Sequence, residues 1–131
     1  MDGIGLQIAL CLTFVIAGVT IAWTSWAAAN GRLRRNPYLG IRTPTVMFSD
    51  ETWATAHRAS RAWTGIGGAA SVVTGLAVLV PMSEAAHTAL AGVGAACLLG
   101  FTLIGARVGV QAARDVISAG DHPVDSNTSS N

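Results

Sequence analysis

The sequence contains little charge and no lysine. Only 11% of its 131 residues are charged, 51% are hydrophobic, and the mean hydropathy of +0.49 is high for a soluble domain. The apolar residues also form three long blocks instead of alternating with polar ones, which is typical of a membrane protein. The composition therefore argues against an ordinary soluble fold, and the length is enough for one domain.

Cysteine is also scarce. Cys11 and Cys97 both lie in apolar blocks, where a free cysteine behaves as a small hydrophobic residue. Two such residues make neither a disulfide framework nor a zinc site, and we expect both to be packing residues. The histidines, His57, His87 and His122, have no metal-ligand spacing, so no metal site is predicted.

Motifs that carry chemistry are missing as well. The sequence has no phosphate-binding Gly-rich loop and no recognisable catalytic triad of serine, histidine and aspartate. No ionisable residue lies in the middle of an apolar block, which weakens an assignment as a transporter. The sequence therefore predicts a protein that is not an enzyme, has no cofactor and does not bind nucleic acid. Four threonines would either line a polar feature or bond back to their own helix backbones: Thr13, Thr20, Thr24 and Thr102.

The first apolar block, residues 4–29, exceeds the roughly 20 residues that a membrane span needs. The alanines at its end resemble a signal-peptide cleavage site. However, residues 1–3 carry no positive charge, and Arg32 follows the block instead of preceding it. We therefore expect an uncleaved membrane helix, with Trp23 and Trp26 in the interfacial region near its end.

All eight basic residues are arginine, and six of them lie between Arg32 and Arg61. That cluster indicates contact with anionic lipid headgroups or with an acidic partner. Arg107 and Arg114 follow the third block, whereas the turn before that block has no arginine. The positive-inside rule then places the N-terminus outside and both the long loop and the C-terminus in the cytoplasm. Abundant Ala, Gly and Arg without lysine indicates a bacterial genome, and hence a multi-pass protein of the bacterial plasma membrane.

A loop at residues 30–44 follows the first block, and two prolines that disfavour helix interrupt it. Ser49 resembles a helix N-cap with two acidic residues after it. The next helix is predicted to be short, amphipathic and interfacial, because its polar and apolar residues separate onto two faces. The predicted apolar face comprises Trp53, Ala56, Ser60 and Trp63, and the polar face comprises Asp50, Glu51, His57, Arg58 and Arg61.

Two further spans are predicted at about residues 62–81 and 85–106, and the last helix is expected to continue to about Ser118. Residues 121–131 are polar and lack periodicity, which indicates a disordered tail. The predicted fold is an all-α integral membrane protein with a single domain, residues 1–120. It has three transmembrane helices and a short interfacial amphipathic helix after a basic loop.

Small residues recur at intervals of four in the second and third spans. Such rows predict close packing of helices within one chain. The alternative is a surface for a second copy of the chain or for another membrane protein. The rows are Gly67, Ser71 and Gly75; Gly92, Ala96 and Gly100; and the pair Gly105 and Gly109.

The most distinctive residues lie in the basic loop and at the start of the helix after it. Arginine beside a membrane can bind a phosphate or a carboxylate through two N–H groups, and Gly40 would supply a tight turn. The alternative for Arg42 is an ion pair with Asp50 or Glu51 that only pins the loop. The candidates for binding a partner or for holding the loop are Asn36, Gly40, Arg42, Thr43, Glu51, Trp53, His57 and Arg58.

This segment resembles the SdpI family of bacterial membrane proteins. The resemblance rests on Gly-Ile-Arg-Thr, Glu-Thr-Trp and a His-Arg pair, and the helices that follow fit as well. The family is named after immunity proteins, which protect a producing cell from a secreted killing peptide and can hold a repressor at the membrane. The resemblance implies the fold and the placement of the loop, with a peptide toxin or a regulator as the partner. The matching residues are Asn36; Gly40, Arg42 and Thr43; Ser49, Glu51 and Trp53; and His57 and Arg58.

Three functions remain open from the sequence. The first is a non-enzymatic protein of immunity type, whose cytoplasmic-side loop recognises a peptide, a lipid or a regulator. The second is an accessory subunit of a larger membrane complex, packed through the small-residue rows. The third is a small transporter or channel. Membrane lipids, another membrane protein and a second copy of the chain are the further partners that we expect.

Overall fold

The computed structural model describes residues 3–120, and the tail predicted at 121–131 lies outside the described residues. The described part of the chain is helical and contains no β-strand, which confirms the all-α class predicted from the sequence. Its elements are α1 (Gly3–Ala29), a short 3₁₀ turn (Val46–Phe48), α2 (Asp50–Ala77) and α3 (Glu84–Gly120).

Helices α1 and α3 are long and apolar enough to cross a membrane. Their 27 and 37 residues correspond to about 40 Å and about 55 Å of helix. The hydrocarbon core of a bilayer is about 30 Å thick. Large apolar side chains such as Leu12 and Ile16 on α1, and Leu99 and Leu103 on α3, are exposed in the isolated chain. Such exposed apolar surface fits contact with lipid.

Helix α2 differs from the prediction. One continuous helix of 28 residues, ending at Ala77, takes the place of the short interfacial helix and of the span at 62–81 into which it was predicted to lead. It is not among the helices apolar enough to be identified as spans, so neither a third transmembrane helix nor an interfacial helix is confirmed. Three polar residues of α2, Ser60, Thr64 and Ser71, are buried. Ser71 Oγ, for example, donates a hydrogen bond to the carbonyl oxygen of Phe14 in α1 at 2.7 Å.

Helix α2 lies between α1 and α3. It forms extensive interfaces with both, whereas α1 and α3 share no comparable interface. Glycines allow the close approach: a β-carbon on Gly68 would lie 2.6 Å from the carbonyl oxygen of Gly18. A β-carbon on Gly109 would lie 2.9 Å from the carbonyl oxygen of Ala56. The absence of side chains at these positions therefore determines how closely the three helices pack.

The predicted small-residue rows lie in two environments. Gly75 faces α1, Gly67 faces α3, and Gly105 faces α2, so these glycines serve packing within the chain. A β-carbon on Gly92 or Gly100 would meet no neighbouring atom within 4 Å. That row therefore lies on the outer face of α3, away from the other two helices.

Candidate functional site

The loop between α1 and α2 is shaped by its own side chains. Asn36 Oδ1 accepts hydrogen bonds from the backbone N–H groups of Tyr38 at 3.0 Å and Leu39 at 2.8 Å, which closes an Asx turn. Thr43 Oγ1 accepts from the N–H of Val46 at 3.3 Å and closes a second turn. Two of the predicted site residues, Asn36 and Thr43, therefore set the path of the loop.

Trp53 and His57 attach the loop to the start of α2. Trp53 Nε1 donates to the carbonyl oxygen of Leu33 at 2.9 Å, and the N–H of Ile41 donates to His57 Nε2 at 3.2 Å. The two rings lie against each other with centroids 4.2 Å apart. These bonds to Leu33 and Ile41 hold the loop against the N-terminal part of α2. Residues 38–42 of the loop are called the roof below.

Gly40 lies directly against these two rings. Its φ of +95° is in the left-handed region, which glycine adopts without steric cost. A β-carbon at this position would lie 2.7 Å from both His57 Nε2 and Trp53 Cη2. The predicted turn at Gly40 therefore also allows the loop backbone to touch the rings.

His57 is buried, which corrects its predicted place on the polar face of α2. Only 1% of its surface is exposed. Residues 53 and 57 are one helical turn apart and share a face. The loop covers that face, so His57 is turned inward together with Trp53.

The hydrogen bonds of His57 specify a neutral ring. Nδ1 lies 2.8 Å from the carbonyl oxygen of Trp53, and Nε2 receives the N–H of Ile41. A ring that donates from Nδ1 and accepts at Nε2 carries one proton. Burial lowers the pKa of His57 below its usual value near 6.5. The bond to Trp53 acts in the opposite direction and is the weaker effect. His57 lies in the first turns of α2, outside both candidate spans.

A second set of contacts joins Arg35, in the first half of the loop, to residues just before and at the start of α2. Arg35 Nε forms an ion pair with Asp50 Oδ1 at 2.8 Å, and Arg35 Nη1 donates to the carbonyl oxygen of Met47 at 2.9 Å. Ser49 caps α2 as predicted, with a reciprocal pair of bonds to Thr52. The ion pair considered for Arg42 with Asp50 therefore forms with Arg35 instead.

Arg42 donates a hydrogen bond to the carbonyl oxygen of Pro37. Within residues 3–120 it forms no ion pair with an acidic side chain. Arg58 is exposed and reaches only Thr55 Oγ1 at 3.3 Å, and Glu51 is exposed at the start of α2. The eight predicted residues thus divide into two sets. Five hold the loop (Asn36, Gly40, Thr43, Trp53 and His57), and three have exposed side chains (Arg42, Glu51 and Arg58).

A cavity of about 380 Å³ lies beneath residues 38–42 of the loop. One wall comes from α1, with Thr20, Thr24 and Ser25, and Thr102 contributes from α3. Arg42 is part of the roof. All three helices and the loop contribute, and hydroxyl groups are frequent in the lining.

Two hydroxyl groups in this cavity have no hydrogen-bond partner among residues 3–120. Thr24 is 5% exposed and Ser25 is 4% exposed, yet Thr24 Oγ1 and Ser25 Oγ are unbonded. A buried hydroxyl without a partner costs about 1–3 kcal/mol. The predicted alternative, a bond back to the helix backbone, does hold for Thr13 (to Ala9, 2.8 Å) and Thr102 (to Leu98, 2.6 Å). Thr24 and Ser25 therefore line the cavity with hydroxyl groups that have no partner among residues 3–120.

Several lining residues escaped the sequence analysis as site residues, among them the serines and threonines Ser25, Ser60 and Thr64. Ser60 and Thr64 follow His57 at intervals of three and four, so they share its face of α2. That spacing was a usable signal. Ser25 offered none, because its role depends on the way that the loop folds back over α1.

Residues 32–107, more than half of the chain, match the family model of the SdpI/YfhL protein family. The match begins in the loop and extends through α2 into α3. It therefore includes the roof and the contacts of Gly40, Trp53 and His57 that hold it, which are called the brace below. No curated protein and no solved structure matches the chain. The match confirms the resemblance read from the loop motif: this chain belongs to the SdpI/YfhL family.

Proposed function

We propose that this chain is a non-enzymatic membrane protein of SdpI type whose loop recognises an anionic partner on the cytoplasmic side. The partner is a peptide, a lipid or a regulator, as in an immunity or signalling role. The observation that carries the proposal is Arg42, held in the roof of the cavity without an acidic partner among the described residues. A guanidinium in such a place favours phosphate or carboxylate.

The brace supports recognition because it fixes the roof before a ligand arrives. Trp53, His57 and Gly40 hold the loop through buried contacts, and Arg35 pins its far end. A preformed site loses less conformational entropy on binding than a flexible loop does. The fixed loop is therefore better suited to binding than a mobile basic segment of the same charge.

We also propose that the part of α2 after Arg61 crosses the membrane as the third span. The polar residues of this part, Thr64, Ser71 and Thr74, are buried against α1 or α3. Apolar residues such as Ile66, Val73 and Leu76 are exposed on its outer side. A helix that is polar only toward its neighbours can lie in lipid, because the neighbours satisfy its polar groups.

The proposal is tested by purifying the tagged protein from native membranes in mild detergent, beside Arg42→Ala and Arg61→Ala. Arg61 is an exposed arginine of α2 that does not line the cavity, so its variant controls for loss of one charge. Co-purifying proteins, peptides and lipids are identified by mass spectrometry. We expect a partner that is present with wild type and Arg61→Ala and lost with Arg42→Ala. Identical partners in all three samples would contradict the proposal.

A second candidate function is that of an accessory subunit. The row Gly92, Ala96 and Gly100 on the outer face of α3 favours it, because the row packs against no helix of its own chain. Small residues in such a position allow close approach of another membrane helix or of a second copy. Gly100→Ile would then reduce the oligomer or complex size in detergent, whereas an unchanged size would exclude this surface.

A further inference from the structure

The cavity under the loop has the form of a lateral pocket. Helices α1 and α3 both pack on α2 and share no comparable interface with each other. The space between them, in front of α2, is lined by Thr20 and Ile21 on one side and by Thr102 and Ala106 on the other. A molecule in this space would contact two helices that are apolar enough to lie in a membrane.

Two hydroxyl groups and one arginine of this cavity can donate to a ligand. Thr24 and Ser25 are almost fully buried, and their hydroxyl groups have no partner among the described residues. Arg42 adds a positive charge in the roof, and its hydrogen-bond acceptor within residues 3–120 is the carbonyl oxygen of Pro37. The hydroxyl groups of Ser60, Thr64 and Thr102 already donate to backbone carbonyl groups. No acidic residue is among the described residues that line the cavity. Free donors and an arginine without a carboxylate form a site for an anion.

The depth of these groups fits the headgroup region of a bilayer. Thr24 and Ser25 precede the end of α1 at Ala29 by five and four residues, which corresponds to about 6–8 Å of helix. Trp23 and Trp26 lie at the same level, and Arg32 lies over the Trp26 ring at 4.8 Å. Tryptophan and arginine are residues of the membrane interface. Deeper in the cavity, Ile21 and Ala106 supply apolar surface.

We propose that the cavity binds one anionic phospholipid from the surrounding membrane. Its phosphate lies between Arg42 and the hydroxyl groups of Thr24 and Ser25, and its glycerol and upper acyl chain lie between α1 and α3. The proposal rests on the proposed function, since Arg42 is the shared anion-binding residue, and it names the ligand of that site. The lipid supplies the hydrogen-bond acceptors that Thr24 and Ser25 lack in the chain itself.

The test uses the full chain, purified in mild detergent and delipidated. It is mixed with phosphatidylglycerol, with phosphatidylcholine of the same acyl chains, or with inorganic phosphate. Bound molecules are counted by native mass spectrometry for wild type, the double variant Thr24→Val/Ser25→Ala, Arg42→Gln and Thr13→Val. Thr13 is the matched control, because it is a hydroxyl residue of α1 that is bonded to Ala9 and lies outside the cavity.

We expect wild type to retain one phosphatidylglycerol, with an affinity about tenfold above that for phosphatidylcholine. The double variant and Arg42→Gln should each lower that affinity about tenfold, because each removes hydrogen bonds to a charged group. Thr13→Val should bind as wild type does. The hydroxyl groups of Thr24 and Ser25 make no bond within the described part of the chain, so the double variant is expected to fold normally.

Equal binding of both lipids, unchanged binding by the double variant, or equally tight binding of inorganic phosphate would overturn the lipid assignment. If the double variant binds normally while Arg42→Ala still loses a protein or peptide partner, only the lipid proposal fails. If Arg42 substitutions change neither lipid nor partner, the proposed function fails as well.

Discussion

At the scale of single residues, the contact between Gly40 and the two rings of α2 decides whether the loop forms a roof. Gly40 combines a left-handed backbone with a distance to Trp53 and His57 that leaves no room for a methyl group. Both conditions point to glycine, and each adds a cost to any substitution. The brace is therefore sensitive to the smallest change in side-chain volume.

Gly40→Ala is expected to destabilise the folded protein by at least about 2 kcal/mol, from backbone strain together with overpacking against the rings. Gly31→Ala is the matched control, because Gly31 also has a positive φ, of 72°, but has open space around it. The midpoint of thermal unfolding in detergent measures both. If the two variants lose the same stability, the contact with the rings contributes nothing beyond strain.

Acidification is expected to loosen the loop through His57. The pKa of His57 is lowered in the folded state, so between that pKa and about 6.5 the unfolded chain binds more protons than the folded one. The contribution of neutral His57 to the free energy of unfolding is therefore fully present above about pH 6.5, and it is lost as the pH falls through the pKa of the folded state. A protonated Nε2 would also meet the N–H of Ile41, its present donor. Unfolding midpoints at pH 7.5 and 5.5 should differ more in wild type than in His57→Asn, and equal differences would exclude His57 as the cause.

At the scale of elements, α2 organises the bundle because it forms both large interfaces. Gly68→Ala is expected to destabilise the protein by about 1–3 kcal/mol, since the new methyl group would meet the backbone of Gly18. Gly65→Ala, three residues earlier, meets no atom within 4 Å and should be neutral or slightly stabilising. Resistance to unfolding by detergent or heat compares the two. Equal effects would indicate that the α1–α2 interface is looser than the structure shows.

Much of the helical architecture could be predicted from the sequence, because hydropathy and capping are local signals. Residues 4–29 read as one apolar helix, and Ser49 was recognisable as an N-cap from the residues around it. The interfacial helix predicted to lead into the second span and that span form one continuous helix, α2. On its predicted polar face, Asp50, Glu51, Arg58 and Arg61 are exposed, and only His57 is buried. His57 was misplaced because a helical wheel cannot show that a loop covers part of the helix.

Some features of the candidate site could be predicted from the sequence, and others could not. The loop motif and the cavity involve the same segment, and a polar lining was one of the two alternatives given for Thr20, Thr24 and Thr102, which line the cavity. The cavity itself could not be predicted, because its lining depends on the relative positions of three helices and the loop. Nor could the sequence show that Arg35, and not Arg42, would pair with Asp50.

At the scale of the whole molecule, the proposed third span determines which ends share a side of the membrane. If α2 crosses, the turn at residues 78–83 lies opposite the loop at residues 30–49, and the end of α3 lies on the same side as the loop. Reporter fusions active only outside the cytoplasm should be active after residue 82 and inactive after residues 40 and 120. Inactivity after residue 82 would show that α2 does not cross.

The most direct test of the central claim, a braced loop over an occupied anion site, is an experimental structure of the purified protein in a lipid bilayer disc. We expect density in the cavity within hydrogen-bonding distance of the Arg42 guanidinium and of the Thr24 and Ser25 hydroxyl groups. An empty cavity, with both hydroxyl groups turned back to carbonyl groups of α1 and Arg42 directed into solvent, would contradict the claim.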